Sequence, residues 1–542
     1  MLLGSDIEAS AQSCHYLTMI NLDVAALAQL AFPTHGTGRR TITSPLDGSP
    51  IGDVPYCDAD DVSRAVALAR AAQKSWAARP IHQRAKVADR FRTLILDNCE
   101  QLLDIVHLEN GKSRLHAFEE ILDVALCSGY YARTAAKHLA TRLRGGAIPV
   151  MTRSVERRVP EGIVGIISPW NYPFNLAVSD AVPALVAGNA VVLKPDSLTP
   201  FSALAAKALL VEAGLPADLF QVVCGSGAEL GTPLIAASDH IMFTGSSATG
   251  ASVAKRCAKR LIPCSAELGG KNPMLVLADA NLKRTVEGAM QACFSTTGQL
   301  CVSIERVYVH QSIYDEFVNR FAERTRRLVV GTGNGWEVDL GPLISAEHMA
   351  KVRSHIDDAV AKGATVVAGG SARPDLGPLC FEPTILTGVT EDMHLAREET
   401  FGPVVAVYPV ASDEEAIARA NDTEYGLNAC VWSASTRHAY AVAKQVRAGT
   451  VNINEGYAAA WASHDAPMGG MGISGLGRRH GAEGIQRYTQ PQNVAVQRWL
   501  LLAPPPGVPR DGYAAFMKLG GRILRRLPVD IPARISSWWN EL

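Results

Sequence analysis

Cys301 stands in the run Gly298-Gln299-Leu300-Cys301-Val302-Ser303, and among eleven cysteines it is the one that follows a glycine-containing turn. A thiolate held this way can attack an electrophilic carbon and split one difficult reaction into two easier steps. The bland alternative is a buried, inert thiol, which is what most free cysteines are. Other polar residues follow short apolar runs: Asn171 between Trp170 and Tyr172, Lys194 before Pro195, Ser246 after Gly245, and Glu267 before Leu268. A carboxylate in a partly desolvated cleft can act as a general base, an amide can donate to a developing oxyanion, and small residues opening a helix can admit a phosphate. Read singly, each also has an ordinary role: Asn171 can cap a turn, and Lys194 and Glu267 can be solvated surface charges.

What must position these residues is an alternation of strands and helices. Helical spacing runs from Asp58 to Cys127, with Val62, Ala65, Val66 and Ala69 and then Val87, Phe91, Leu94 and Ile95 on apolar faces, so these helices are expected to form outer layers. Short β-rich runs follow, at 162–168, 190–193, 221–223 and 240–243, and a second set lies at 274–277, 306–309, 365–368 and 404–407. Strands alternating with helices imply parallel α/β sheets, which hold ligands beyond the carboxyl ends of their strands. Two further segments, 147–159 and 493–497, alternate polar and apolar residues and read as strands outside either sheet, suited to oligomer contacts.

Composition narrows the classes. The chain has 542 residues, 47% hydrophobic and 19% charged, enough for several compact units. With 52 basic and 53 acidic residues its net charge is −1, which leaves no global footprint for a nucleic-acid partner. The cysteines are scattered, odd in number and without a C-x-x-C pair, against a disulfide framework or a structural zinc site and in favour of a reducing, cytoplasmic compartment; no metal is expected. Acidic residues near Met1 argue against a secretion signal, Met19 is an alternative start ahead of a helix with Leu22, Val24, Leu27 and Leu30, and no apolar stretch is long enough to span a bilayer. Gly-x-Gly-x-x-Gly after a strand, Walker A, His-Glu-x-x-His and Gly-x-Ser-x-Gly are all missing.

Six motifs nonetheless occur together: Pro169-Trp170-Asn171-Tyr172-Pro173, Lys194-Pro195-Asp196-Ser197, Phe243-Thr244-Gly245-Ser246, Glu267-Leu268-Gly269-Gly270-Lys271, Gly298-Gln299-Leu300-Cys301 and Glu399-Thr400-Phe401-Gly402-Pro403. In order and spacing they resemble the aldehyde dehydrogenase superfamily from about residue 40 to 497. Within it the resemblance is to the succinate-semialdehyde dehydrogenase [NADP+] branch, an actinobacterial-type subgroup sharing 243–250 and 466–472. It implies a Rossmann-like cofactor-binding domain, an α/β catalytic domain and a small β oligomerisation element. The corresponding division is 1–40 as N-terminal extension, 41–146 with 161–268 for the cofactor, 269–470 for catalysis, 147–160 with 485–500 for oligomerisation, and 501–542 as linker and tail.

The resemblance also assigns roles. Cys301 is the nucleophile, the Asn171 side chain and the Cys301 backbone N–H hold the oxyanion, and Glu267 activates the water that hydrolyses the thioester. Relatives that hand the acyl group to coenzyme A lack this glutamate. Gly245 and Ser246 receive the cofactor pyrophosphate, Trp170 and Lys194 flank the adenosine ribose, and Glu399 and Phe401 serve the nicotinamide end. Asn171, Asp196, Ser197 and Leu268 complete the cofactor set. NAD-restricted members usually carry a glutamate where this chain has Ser197, so NADP is expected, with NAD as a second acceptor. Members specific for succinic semialdehyde hold its distal carboxylate with arginines at positions that here read Ser179 and Ser295, which supply neither charge nor a fork; the resemblance implies succinic semialdehyde as substrate, and these two serines set a different, less polar aldehyde against it as the alternative. A thiol hydrolase or esterase using Cys301 and Glu267, or a catalytically silent binding protein, are the competing readings.

Past the linker Ala503-Pro504-Pro505-Pro506-Gly507-Val508-Pro509, the residues Tyr513, Phe516, Met517, Ile523, Leu524 and Leu527 share one helical face, opposite Lys518, Arg522, Arg525 and Arg526. Residues 501–542 hold six basic and three acidic side chains and the pair Trp538-Trp539. This reads as a basic amphipathic helix, interrupted at Gly520 and Gly521, with peripheral membrane contact through 510–540 weighed against docking on its own enzyme or oligomer. A homodimer or homotetramer is the expected assembly.

Overall fold

The computed structural model describes residues 23–36, 38–146, 152–497 and 503–524. Two parallel sheets form its frame. The first has six strands in the order Gly475–Leu476, Cys264–Glu267, His240–Thr244, Ile163–Ile167, Ala190–Lys194 and Phe220–Val222. Its five long neighbours run parallel, and only the two-residue return at Gly475–Leu476 is antiparallel. Chain order reverses between Ile163–Ile167 and His240–Thr244, so the loops after these two strands part and leave a crevice, the usual ligand position in a doubly wound sheet. Ile163–Ile167 and Ala190–Lys194 are buried throughout, as expected of strands covered by helices on both faces.

The second sheet has seven strands in the order Thr365–Ala368, Thr384–Thr387, Val404–Val410, Ile304–His310, Asn272–Val276, Asn428–Trp432 and Thr450–Ile453. Only its first pair is antiparallel. All eight runs expected as strands are strands. Thr384–Thr387, Asn428–Trp432 and Thr450–Ile453 were not expected, because they are short and two of them carry asparagine inside an otherwise apolar run.

Helices Ala59–Ala77, Ile81–Asp97, Cys99–Asn110 and Arg114–His138 occupy the segment with helical spacing. Val62, Ala65, Val66, Ala69, Phe91 and Ile95 are buried in the core of the first sheet, while Val87 and Leu94 pack at its margin. A separate three-stranded sheet joins Arg142–Arg144, Thr152–Pro160 and Thr489–Gln497, the last at its edge. Of the two segments expected outside the main sheets, 152–159 and 493–497 lie here, and 147–151 lie outside the described residues.

Near the N-terminus the helix Val24–Ala28 buries Leu27, and Phe32 donates its backbone N–H to Val222 O at 2.8 Å, so this stretch belongs to the first core. Met19 and Leu22 lie outside the described residues. In the tail the helix Arg510–Leu524 runs without a break through Gly520 and Gly521, correcting the expected interruption; two glycines lower helix propensity by about 1 kcal/mol each without removing a hydrogen bond. Tyr513 folds back on the proline-rich linker, whereas Phe516, Leu519 and Ile523 are 58%, 57% and 55% exposed. Arg525, Arg526, Leu527, Trp538 and Trp539 lie outside the described residues. Among the described residues no helix is long and apolar enough to cross a membrane.

Candidate active site

Cys301 follows a backbone that few sequences tolerate. Thr296, Thr297 and Gly298 all adopt left-handed φ, at 53°, 56° and 68°. Such a conformation is costly for threonine and persists only where neighbours hold it. They do: the Tyr172 hydroxyl bonds Thr296 Oγ1 at 2.9 Å, Thr297 Oγ1 donates to Gly341 O at 2.9 Å, and Ile344 N donates to Gln299 Oε1 at 3.0 Å. Glycine is required at 298, since a Cβ there would overlap the Gly402 carbonyl. Beyond the turn, Asn272 Nδ2 donates to the carbonyls of Cys301 and Ser303, each at 2.8 Å. The thiol is thus presented half-buried on a clamped turn. Burial, followed by the nearby Glu267 and Glu399 carboxyls, pushes its pKa up to about 12, so at neutral pH the resting group is the thiol.

Cys301 opens into a cavity of about 200 Å³. From the switch point of the first sheet come Trp170 and Asn171 on one side and Gly245 and Ser246 on the other; Glu267 and Leu268 line it from the next strand end, and Glu399 and Phe401 from the second sheet. Nine of the expected site residues therefore converge. Lys194, Asp196 and Ser197 do not line this cavity. Lys194 is buried at the end of its strand, where desolvation pulls its ammonium pKa down against the attraction of Asp196, and the Asp196 carboxylate accepts from Leu198 N at 3.0 Å in a tight turn.

Asn171 Nδ2 donates to Gln299 O at 3.0 Å, which fixes the amide against the turn that carries Cys301. An amide nitrogen carries two N–H groups, so one remains for a ligand. Ser246 caps the helix Ser247–Arg260, its Oγ accepting from Thr249 N at 3.3 Å. At Gly245 an added Cβ would sit 2.7 Å from the Phe243 ring, so the crevice floor requires glycine.

Glu267 ends its strand with one carboxylate oxygen, Oε1, buried and unpartnered. Burial pushes its pKa up to about 7, opposed by the Arg479 and Arg487 guanidiniums. Glu399 is likewise pushed up to about 7, by burial and by Glu305, although Gly270 N donates to it at 2.8 Å. A Cβ at Gly269 would overlap the Glu399 carboxylate. Glu305, paired with Lys271, also accepts the backbone N–H groups of Thr400 and Phe401, which holds Phe401 at a left-handed φ of 59° with its ring edge-on to Trp170.

Several contributors escaped the reading of the sequence. His348 and Lys351 line the cavity from the helix Ala346–Ala361; His348 Nε2 bonds Phe401 O at 2.7 Å and Lys351 Nζ donates to Glu399 O at 2.9 Å. Beneath Glu267 lies a buried polar cluster. Arg479 bonds the Ser179 hydroxyl and lies 3.3 Å from Asp180, Arg487 pairs with Asp180, and His464 lies 3.3 Å from Asp123. Their only sequence signal was the run Arg478-Arg479-His480, which reads as surface charge.

A doubly wound sheet whose switch-point crevice meets a cysteine and a neutral-range carboxyl defines a thiol-dependent enzyme that works beside a dinucleotide. Comparison with known proteins agrees. The aldehyde dehydrogenase family profile matches residues 33–494. The chain is 51% identical over 489 residues to a Mycolicibacterium smegmatis protein named "Putative succinate-semialdehyde dehydrogenase [NADP(+)]", spanning 90% of this chain and 95% of that one. It is 36% identical to the Escherichia coli succinate-semialdehyde dehydrogenase [NADP(+)] GabD, over 83% of this chain and 92% of that one. A betaine aldehyde dehydrogenase from Staphylococcus aureus, solved in complex with NAD+, superposes with a TM-score of 0.82 at 32% identity, covering 86% of this chain and 94% of its own. The protein belongs to the aldehyde dehydrogenase family.

Proposed function

We propose that the protein oxidises an aldehyde to the free carboxylic acid, using NADP in preference to NAD, through a covalent adduct on Cys301. The observation that carries this reading is the convergence of Cys301, Asn171, Glu267 and Glu399 on one cavity at the switch point. Ionised Glu267 is the base for the thiol proton as Cys301 Sγ adds to the carbonyl carbon, and the free N–H of Asn171 with the Cys301 backbone N–H receives the oxyanion. The glycine floor at Gly245, the first-turn amides after Ser246 and the Glu399 carboxylate fit a dinucleotide. These groups would hold the cofactor, which when bound would supply the hydride acceptor that takes the Cys301 adduct to the thioester oxidation level. Once it has released the thiol proton to solvent, Glu267 takes a proton from water as the water attacks the thioester, and it returns that proton to the departing thiolate as the acid leaves.

NADP preference rests on the neutral Ser197 and the buried Lys194 ammonium at the strand end, and on relatives named for NADP(+). The test follows reduced nicotinamide with an aldehyde panel and either cofactor, beside Cys301→Ala. Turnover by the wild type alone, with higher kcat/KM for NADP, is expected; equal turnover by Cys301→Ala, or product formed without nicotinamide reduction, refutes the reading and favours a thiol hydrolase.

A homodimer or homotetramer is proposed through Thr489–Gln497, an edge strand on which Val494 and Val496 are 41% and 48% exposed. A monomer by light scattering refutes it. A cytoplasmic location is proposed from the described cysteines, which are all free thiols, with peripheral lipid contact through the exposed apolar face of Arg510–Leu524. Sedimentation with anionic liposomes, with and without residues 503–542, tests the contact; equal partitioning refutes it.

A further inference from the structure

Two thiols outside the catalytic cavity meet where the helix Ser247–Arg260 gives way to the strand Cys264–Glu267. Leu261 closes the helix in a left-handed conformation, φ 58°, and Ile262 then donates its backbone N–H to the Cys257 carbonyl at 3.3 Å. This closure turns the chain back over the last helical turn. Pro263 and Cys264 follow at once, and Ile241 N donates to Pro263 O at 3.1 Å where the new strand joins the sheet. Cys264 is thereby laid against Cys257, and its thiol donates a hydrogen bond to the Cys257 sulfur. Cys257 is 1% exposed in the first core, whereas Cys264 packs at the margin of that core and is half-buried.

Among the described cysteines this pair alone combines a thiol partner with access to solvent. Cys57 and Cys224 are neighbours through their backbones, Cys57 N donating to Cys224 O at 2.8 Å, but both are buried and the Cys57 thiol donates to Phe32 O at 3.5 Å. Cys293 and Cys430 are both buried. Cys99 is half-buried with Glu100 and Arg114 beside it, and burial pushes its thiol up. At Cys257 the bond from Cys264, against burial and with the help of the Arg260 guanidinium, holds the thiol below its ordinary range. A thiolate that already touches a second thiol is set up for oxidation to a disulfide, which an isolated core cysteine is not.

We propose that Cys257 and Cys264 form a modification site separate from Cys301, a dithiol that hydrogen peroxide converts to a reversible disulfide. The Cys257 thiolate attacks one peroxide oxygen; the O–O bond breaks, hydroxide leaves, and Cys257 becomes a sulfenic acid. The Cys264 sulfur then attacks the Cys257 sulfur, the S–O bond breaks, and water leaves with the Cys264 proton. Two electrons pass from the sulfurs to peroxide, which ends as hydroxide and water. The new bond ties the far end of the helix capped by Ser246 to the strand that carries Glu267.

The full-length protein, reduced and then freed of reductant, is treated with a small excess of hydrogen peroxide, alkylated with iodoacetamide and digested with trypsin without reduction. Cleavage after Arg256, Lys259, Arg260 and Lys271 separates the two cysteines, so the disulfide is read as Cys257-Ala258-Lys259 joined to the peptide 261–271. The joined peptide should form at least about 10-fold faster than Cys99 is oxidised, and Cys301→Ala should leave its rate unchanged within about 2-fold. Dithiothreitol should release it. In Cys264→Ser it should be absent, with Cys257 trapped by dimedone as the sulfenic acid. Cys257 and Cys264 both still alkylated after Cys99 has been oxidised overturns the proposal. So does a joined peptide that forms only in unfolded protein, or one lost in Cys301→Ala.

Discussion

If Glu267 is the general base, its ionisation governs both turnover and stability, and the two readouts can be set against each other. Its pKa is pushed from 4.5 up to about 7, chiefly by burial. If Glu267 must be ionised to activate water, kcat should fall on the acid side with a midpoint near pH 7, leaving roughly a tenth of plateau turnover at pH 6. The same displacement is worth about 3 kcal/mol, with a definite sign. A carboxyl whose folded pKa is raised stabilises the fold fully below its unfolded pKa near 4.5. That contribution is lost as pH rises through about 7. Glu267→Gln, neutral at every pH, should therefore match the wild type in thermal midpoint near pH 4.5 and exceed it at pH 8.5.

In the same variant, steady-state turnover should drop by about 10²- to 10⁴-fold with no rapid stoichiometric burst of reduced nicotinamide, since both thiol deprotonation and thioester hydrolysis lose their base. Glu399 titrates in the same range, so Glu399→Gln is the control: the acid limb should survive in it. A wild-type limb near pH 4.5, a limb lost in Glu399→Gln, or a thermal difference between wild type and Glu267→Gln that is the same at both pH values would refute the reasoning.

Three further perturbations test the surroundings. Gly298→Ala places a Cβ on the Gly402 carbonyl at a left-handed φ, so soluble yield and thermal midpoint should fall and any folded enzyme should lose at least about 10-fold in kcat. Asp180→Asn strips two buried guanidiniums of their shared carboxylate and should destabilise by about 3–5 kcal/mol in denaturant titrations; because Asp180 also raises the pKa of Glu267, the acid limb of kcat should move to lower pH. Ser197→Glu brings a negative charge beside Lys194 and should reverse the ratio of kcat/KM for NADP over NAD; an unchanged ratio would place the 2′-phosphate elsewhere.

How much of this was legible depended on whether the information was local. Apolar runs such as Ile163–Ile167 and His240–Thr244 declare buried parallel strands, and once strands are placed, the residues after them must gather at one edge. That is why Trp170, Asn171, Gly245, Ser246 and Glu267 group together in the sequence. Lys194, Asp196 and Ser197 follow the strand next to Ile163–Ile167 and lie outside the lining of the cavity at Cys301. What stayed hidden is complementarity between distant positions. Asp180 meets Arg479 and Arg487 across about 300 residues, and neither half has a local pattern that distinguishes it from a solvated charge. His348 and Lys351 sit on a helix whose polar residues read as surface until Trp170 and Glu399 are brought against them. The gathering of polar residues around Cys301 was therefore readable from motif and strand end. The groups that set the ionisation of Glu267 were not, because a buried ion pair is a property of two places in the chain and is written in neither alone.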